Sequence, residues 1–108
     1  MRREDLWTGL IRLHILHHAA EGEVFGLGII RELRRHGYDP SPGTIYPLLH
    51  RMERAGYLVS SERRSGRTAR RSYRSTRAGR LALAEARSKV RELFAELVGS
   101  GAGSRRRR

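Results

Sequence analysis

The sequence predicts a mainly α-helical fold with one small β-hairpin. Three observations carry that expectation. Apolar residues recur at helical spacing in four separate stretches. Two runs of β-formers, "YLVSSER" and "RRSYRS", flank the glycine-containing turn "RSGRTA". At 108 residues the chain has the size of one domain.

The first helix is expected from about Glu4 to Ala20. Leu6, Leu10, Leu13 and His17 lie on one stripe, which Ile11, Ile15 and Leu16 widen. "AEGEVFG" reads as a loop. The second helix is expected from Gly26 to His36, with Ile29, Ile30 and Leu33 inward. Its last turn is basic and Gly37 follows, a good stop signal. After the connector "YDPSP" a third helix runs to Gly56. With Ser41 as N-cap and Pro42 in the first turn, Pro47 falls deep inside this helix. Either the start lies nearer Gly43 or Thr44, or the helix bends. Thr76 suits the cap of a fourth helix reaching about Val98. "GSGAGSRRRR" has the composition of a flexible basic tail, ending in Arg105 to Arg108.

The expected order is three helices, two strands and a last helix. That is a winged helix-turn-helix, in which the third helix enters the DNA major groove and the hairpin touches the backbone. The expected organisation is a DNA-binding domain over 1–75, a dimerisation helix over 76–98 and a flexible tail over 99–108.

Charge agrees with that reading. The net charge is +12, a surplus that points to a polyanionic partner. Lys89 is the single lysine among 23 basic residues. Arginine presents a planar fork of donors suited to phosphates and guanine edges, although arginine-rich coding also explains part of that bias. The absence of cysteine excludes disulfides and thiolate metal sites. No apolar run approaches the length of a membrane span, and "MRREDLW" is not followed by the apolar stretch of a secretory signal. A soluble, cytoplasmic protein is expected.

On a wheel of about 100° per residue, Ile45, Leu48, Leu49, Met52 and Ala55 share one side of the third helix. Gly43, Pro47, His50 and Arg54 take the other, flanked by Thr44, Tyr46 and Arg51. Ser41 stands at the start. A helix N-terminus favours phosphate, Gly43 removes bulk where a duplex would approach, and the polar side chains suit phosphates or base edges. A merely solvated polar face is the plain alternative. The hairpin adds Arg63, Arg64, Arg67, Arg70 and Arg71, expected to line a phosphate ridge, with Arg67 at the turn also able to enter a minor groove.

On the fourth helix Leu83, Val90 and Leu97 are seven apart, with Ala86, Leu93 and Phe94 between them. This is a short coiled-coil-like seam. With Leu6, Trp7 and Leu10 of the first helix it is the expected interface of a homodimer. The alternative is that the fourth helix only covers its own domain.

Three stretches, and the spacing between them, carry a family resemblance: "FGLGIIRELR", "GTIYPLLHRMERAGYL" and "RSYRSTRAG". The chain resembles the PadR-like transcriptional regulators over about residues 6–98. The matching positions are Phe25-Gly26, Gly43 to Leu49, Glu53 to Leu58, and Tyr73 to Gly79. The resemblance implies a homodimeric winged-helix repressor on an inverted repeat, with Tyr46 and the start of its helix at the DNA. It also implies the short subfamily with a single C-terminal dimerisation helix. Some short members bind planar molecules between these helices through aromatic residues. Here the fourth helix has no tryptophan, and Phe94 and Trp7 are the aromatics near the expected interface, with Arg87 close by. Against these departures, a small-molecule effector is carried only as an expectation that the resemblance implies. Two departures are Phe25 where tyrosine is common, and Gly28 in place of a polar residue, which weakens the second helix by ~1 kcal/mol relative to alanine.

Other chemistry is set aside. "HILHH" places His14 and His18 four apart, a spacing that suits a metal on a helix. Only Glu21 is near as a third ligand, so no metal site is expected, and no cofactor. "FGLGII" lacks a preceding strand and has Arg31 at the last glycine position of a dinucleotide fingerprint. No nucleophile elbow or paired carboxylates are present, and no enzyme is expected. Two rivals remain: a nonspecific basic nucleic-acid binder (RNA or DNA), and a winged-helix adaptor whose arginines meet an acidic protein.

Overall fold

A computed structural model describes residues 2–99. Its elements are α1 (Arg3–Glu21), β1 (Val24–Phe25), α2 (Gly26–Arg35), α3 (Pro42–Arg54), β2 (Leu58–Ser65), β3 (Thr68–Ser75) and α4 (Arg77–Phe94). A π-helical turn over Ala95–Gly99 follows α4. The basic stretch ending in Arg105 to Arg108 lies outside the described residues. No helix among the described residues is long and apolar enough to cross a membrane.

The expected helices are present, and the expected hairpin gains a strand. "VF" within the segment read as a loop forms β1, and the antiparallel sheet runs β1-β3-β2. Two residues are too few to show alternation in sequence. Their pairing with Tyr73 and Ser72 comes from the position of β3.

α2 and α3 end by the same device. Gly37 and Gly56 both have φ +90, a left-handed conformation in which glycine avoids the Cβ penalty. Tyr38 N–H donates to Leu33 C=O and Gly37 N–H to Arg34 C=O. Likewise Tyr57 N–H donates to Met52 C=O and Gly56 N–H to Glu53 C=O. These paired bonds satisfy the last carbonyls of each helix.

The core draws Ile11, Ile15, Leu16 and Ala19 from α1, Ile29, Ile30 and Leu33 from α2, and Ile45, Leu48, Leu49 and Met52 from α3. Leu58, Tyr73 and Leu83 close it. Ala55, expected on the inner side of α3, is its exposed C-cap. Leu83, expected at a dimer seam, is buried within its own chain at 6% exposure. Its position early in α4 keeps it over the body of the domain, and α4 then runs past that body.

Candidate nucleic-acid interface

α3 starts at Pro42, with Ser41 as its N-cap, despite Pro47. Ser41 C=O accepts from both Thr44 N–H and Ile45 N–H at 3.0 Å. Pro42 sits in the first turn, where its missing N–H costs nothing. The helix continues through Pro47, which cannot donate to the Gly43 carbonyl one turn back. No side chain caps the first turn. The Ser41 hydroxyl instead lies 3.3 Å from that of Thr44. Uncapped N–H groups therefore end the helix on its exposed side.

Ser41, Gly43, Thr44, Tyr46, His50 and Arg54 are all exposed, and they wrap one side of α3 opposite its buried stripe. Arg51 is exposed but lines an apolar groove with Leu10, Leu13 and Leu93. Tyr46 packs against Gly26, where a Cβ would collide with its ring. That close approach is what requires glycine after Phe25. It holds the phenol against the start of α2 while leaving it 38% exposed.

The five wing arginines are divided by the alternation of the sheet. Leu58 and Tyr73 are buried, so their face of the hairpin looks toward the core. Counting by twos from them, with the register Glu62↔Arg71 and Arg64↔Ala69, Arg64 and Arg71 share that face. Arg63 and Arg70 pair directly across the strands on the opposite face. There Arg63 forms an ion pair with Glu23, and the Arg70 guanidinium sits 3.9 Å from the centroid of the Phe25 ring. Hydrogen bonds from Ser72 and Arg63 hold the Glu23 carboxyl below its usual range. Arg71 donates to the Ser60 hydroxyl at 3.0 Å. No intrachain partner is found for Arg64 or Arg67 among the described residues. Arg67 occupies the two-residue turn after Gly66, whose φ of +62 fits the first position of a type II′ turn.

The wing is fastened to α3 through Glu53. Its carboxylate accepts from Ser60 N–H at 3.2 Å and from the Ser60 hydroxyl at 2.8 Å. Burial, and then Glu53, push the Tyr73 phenol above its ordinary value. A second joint lies at Thr76. Its hydroxyl donates to Gly56 C=O at 2.6 Å and accepts from Gly79 N–H at 3.0 Å. A Cβ at Gly79 would run into the Tyr57 carbonyl. Tyr73, Thr76 and Gly79 are thus joints of the scaffold. The cap at Thr76 was expected from sequence; its bond to Gly56 and the contact of Gly79 with Tyr57 were not.

With these joints the spacing of the motifs matches a family model, the transcriptional regulator PadR-like family, over residues 15–85. The chain belongs to the PadR-like family of transcriptional regulators. PadR-like regulators act on DNA and are not enzymes. The chain is 56% identical over 89 residues to transcriptional regulator Rv3488 of Mycobacterium tuberculosis, covering 82% of this chain and 83% of that protein. It is also similar to a PadR family transcriptional regulator from Eggerthella lenta (TM-score 0.74, 29% identity, 82% of this chain and 79% of that one). The fold is shared with Bacillus subtilis PadR in complex with operator DNA (TM-score 0.64, 19% identity, 70% of this chain and 44% of that one).

The residues expected at a dimer interface are only partly gathered. Leu6, Leu10, Val90 and Leu93 line one open apolar groove between α1 and α4. Leu10, Ala86, Val90 and Phe94 line a second, of about 690 Å³, with Arg87 at its edge. Leu97 projects from the π-helical turn at 74% exposure. Trp7 stands apart from them and borders a hollow with Ile11, Tyr38, Ser41 and Thr44. His36, the C-cap of α2, stands beside His14 and His18 of "HILHH".

Proposed function

We propose that this PadR-like regulator is a cytoplasmic, homodimeric repressor that binds a near-palindromic operator. The observation that carries the reading is the exposed polar side of α3, with an uncapped N-terminus, fastened through Glu53–Ser60 to a wing whose Arg64 and Arg67 have no partner among the described residues. Thr44, Tyr46 and His50 are assigned to base edges and nearby phosphates, with Ser41, Gly43 and Arg54 at the backbone. Arg64, Arg67 and Arg71 bind phosphates. Arg63 and Arg70, already engaged by Glu23 and Phe25, brace the wing.

The second copy is assigned to the exposed seam of Leu6, Leu10, Val90, Leu93, Phe94 and Leu97. A twofold dimer sets its two reading helices about one DNA turn apart, ~34 Å. The operator DNA held by Bacillus subtilis PadR supports the same class of partner for this chain. The groove edged by Phe94 and Arg87 is the proposed place for a small effector that relieves repression.

Competition on a duplex selected from the source genome tests this. Specific operator should outcompete random duplex by ~1,000-fold or more. Equal competition by random DNA or RNA would make the protein a nonspecific binder. Failure to bind any duplex at low salt would make it an adaptor.

A further inference from the structure

α1 and the end of α2 each bring an i, i+4 pair to their contact: His14 and His18 from the first, Glu32 and the C-cap residue His36 from the second. One ligand nitrogen from each of the three histidines lies within 4.8 Å of the other two. The His14 and His36 rings are 4.8 Å apart between centroids, and His14 and His18 are stacked at 6.4 Å. Glu32 closes the group: its Oε2 is 3.6 Å from His36 Nε2 and 4.0 Å from His18 Nε2. Its other oxygen faces the Arg35 guanidinium at 3.5 Å. The Tyr38 ring meets His14 edge-on at 5.5 Å.

Packing alone leaves this arrangement poorly satisfied. His18 Nε2 is sealed from solvent and has no hydrogen-bond partner. A buried nitrogen without a partner is costly. Three imidazoles facing one another also repel whenever more than one is protonated. A divalent ion resolves these conflicts together. It takes the lone pairs of neutral imidazoles and offsets the carboxylate, while Arg35 orients Glu32 from behind.

We propose that His14, His18, Glu32 and His36 form a binding site for a divalent first-row transition ion, with zinc as the reference ion. Imidazole and carboxylate donors without thiolate select this class over copper(I). Tetrahedral sites hold nitrogen and oxygen ligands about 2.1 Å from the ion. Donor atoms then stand roughly 3.4 Å apart by that geometry, within reach of small side-chain rotations from the present spacing. His36 is half-exposed and leaves an entry path. The other candidate group, His17, His18 and Glu21, lies on one helix and shares His18. Its carboxylate, Glu21, is 68% exposed against 29% for Glu32, so it lacks the enclosed acidic ligand of the first group.

The site pins α1 to α2 and does not depend on the DNA-binding reading. Its test uses the full-length, tag-free, chelator-stripped protein. Zinc is titrated in competition with a chromogenic chelator, and cobalt is added to read coordination by visible absorption. One tight site per chain is expected, with a cobalt spectrum of tetrahedral intensity. Thermal melts should rise on adding zinc, as for any ligand that binds the folded state. H36A and E32Q should each weaken zinc by at least about 10-fold and abolish its effect on melting, whereas H17A should leave both unchanged. The melts also report folding; if H36A does not fold, E32Q carries the comparison. Three results overturn the proposal: no stoichiometric zinc binding, zinc affinity unchanged in E32Q and H36A, or zinc binding lost in H17A alone.

Discussion

α3 and α4 are both amphipathic, yet they use opposite faces. α3 buries Ile45, Leu48, Leu49 and Met52 to 4% exposure or less, and its polar side stands outside. α4 buries only Gly79 and Leu83 and leaves Val90, Leu93 and Phe94 between 44% and 60% exposed. One helix has finished its apolar packing within the chain and offers donors. The other has not, and offers hydrocarbon. Contiguous exposed apolar surface of this kind marks an interaction site, so the two helices suit two different partners.

The sharpest contrast comes from truncating each stripe. Leu49→Ala should cost ~2–5 kcal/mol, the range for a fully buried leucine, and by the same amount at every protein concentration in denaturant titration. Leu93→Asp should instead split the dimer in sedimentation and lower operator affinity by about 100-fold, or ~2.7 kcal/mol. A Leu93→Asp protein that remains dimeric would remove α4 from the interface.

A smaller effect separates the two faces of the wing. Arg64→Ala and Arg67→Ala should each reduce the salt slope of operator binding by about 1. Arg63→Ala and Arg70→Ala should change it less, because those guanidiniums already have Glu23 and Phe25. Equal slopes for all four variants would restore a single phosphate ridge.

The smallest effect is on pH. His14 is held below its ordinary value of 6.5, by burial first and then by His36, His18 and His17, with Glu32 opposing. The unfolded chain therefore binds a proton near that pH which the folded chain resists. Stability is complete above 6.5 and falls as pH drops below it. In metal-free buffer, melting temperature should decline over this window, and His14→Gln should flatten the decline.

Most of the helical framework was legible in the sequence because its signals are local. Gly37 and Gly56 closed two helices where expected, and Thr76 capped the fourth. The polar face of α3 followed from its period. What was not legible depends on contacts between distant segments. β1 exists only through β3. Leu83 fits the same heptad as Val90, and only the reach of the domain body separates them. Alternation alone would have divided the wing arginines, but the register was needed to say which face met the core. His14 and His18 were visible as a pair, while His36 and Glu32 join them only once α1 and α2 pack.

The Thr76 hydroxyl, bonded at once to the end of α3's turn and to the start of α4, leaves little slack between those elements. Gly79 pressed on the Tyr57 carbonyl removes more. In the proposed dimer, a change in the tilt between the two α4 helices would swing the reading helices like arms on a shared axle. A molecule wedged into that seam would then act by altering their span, without touching either.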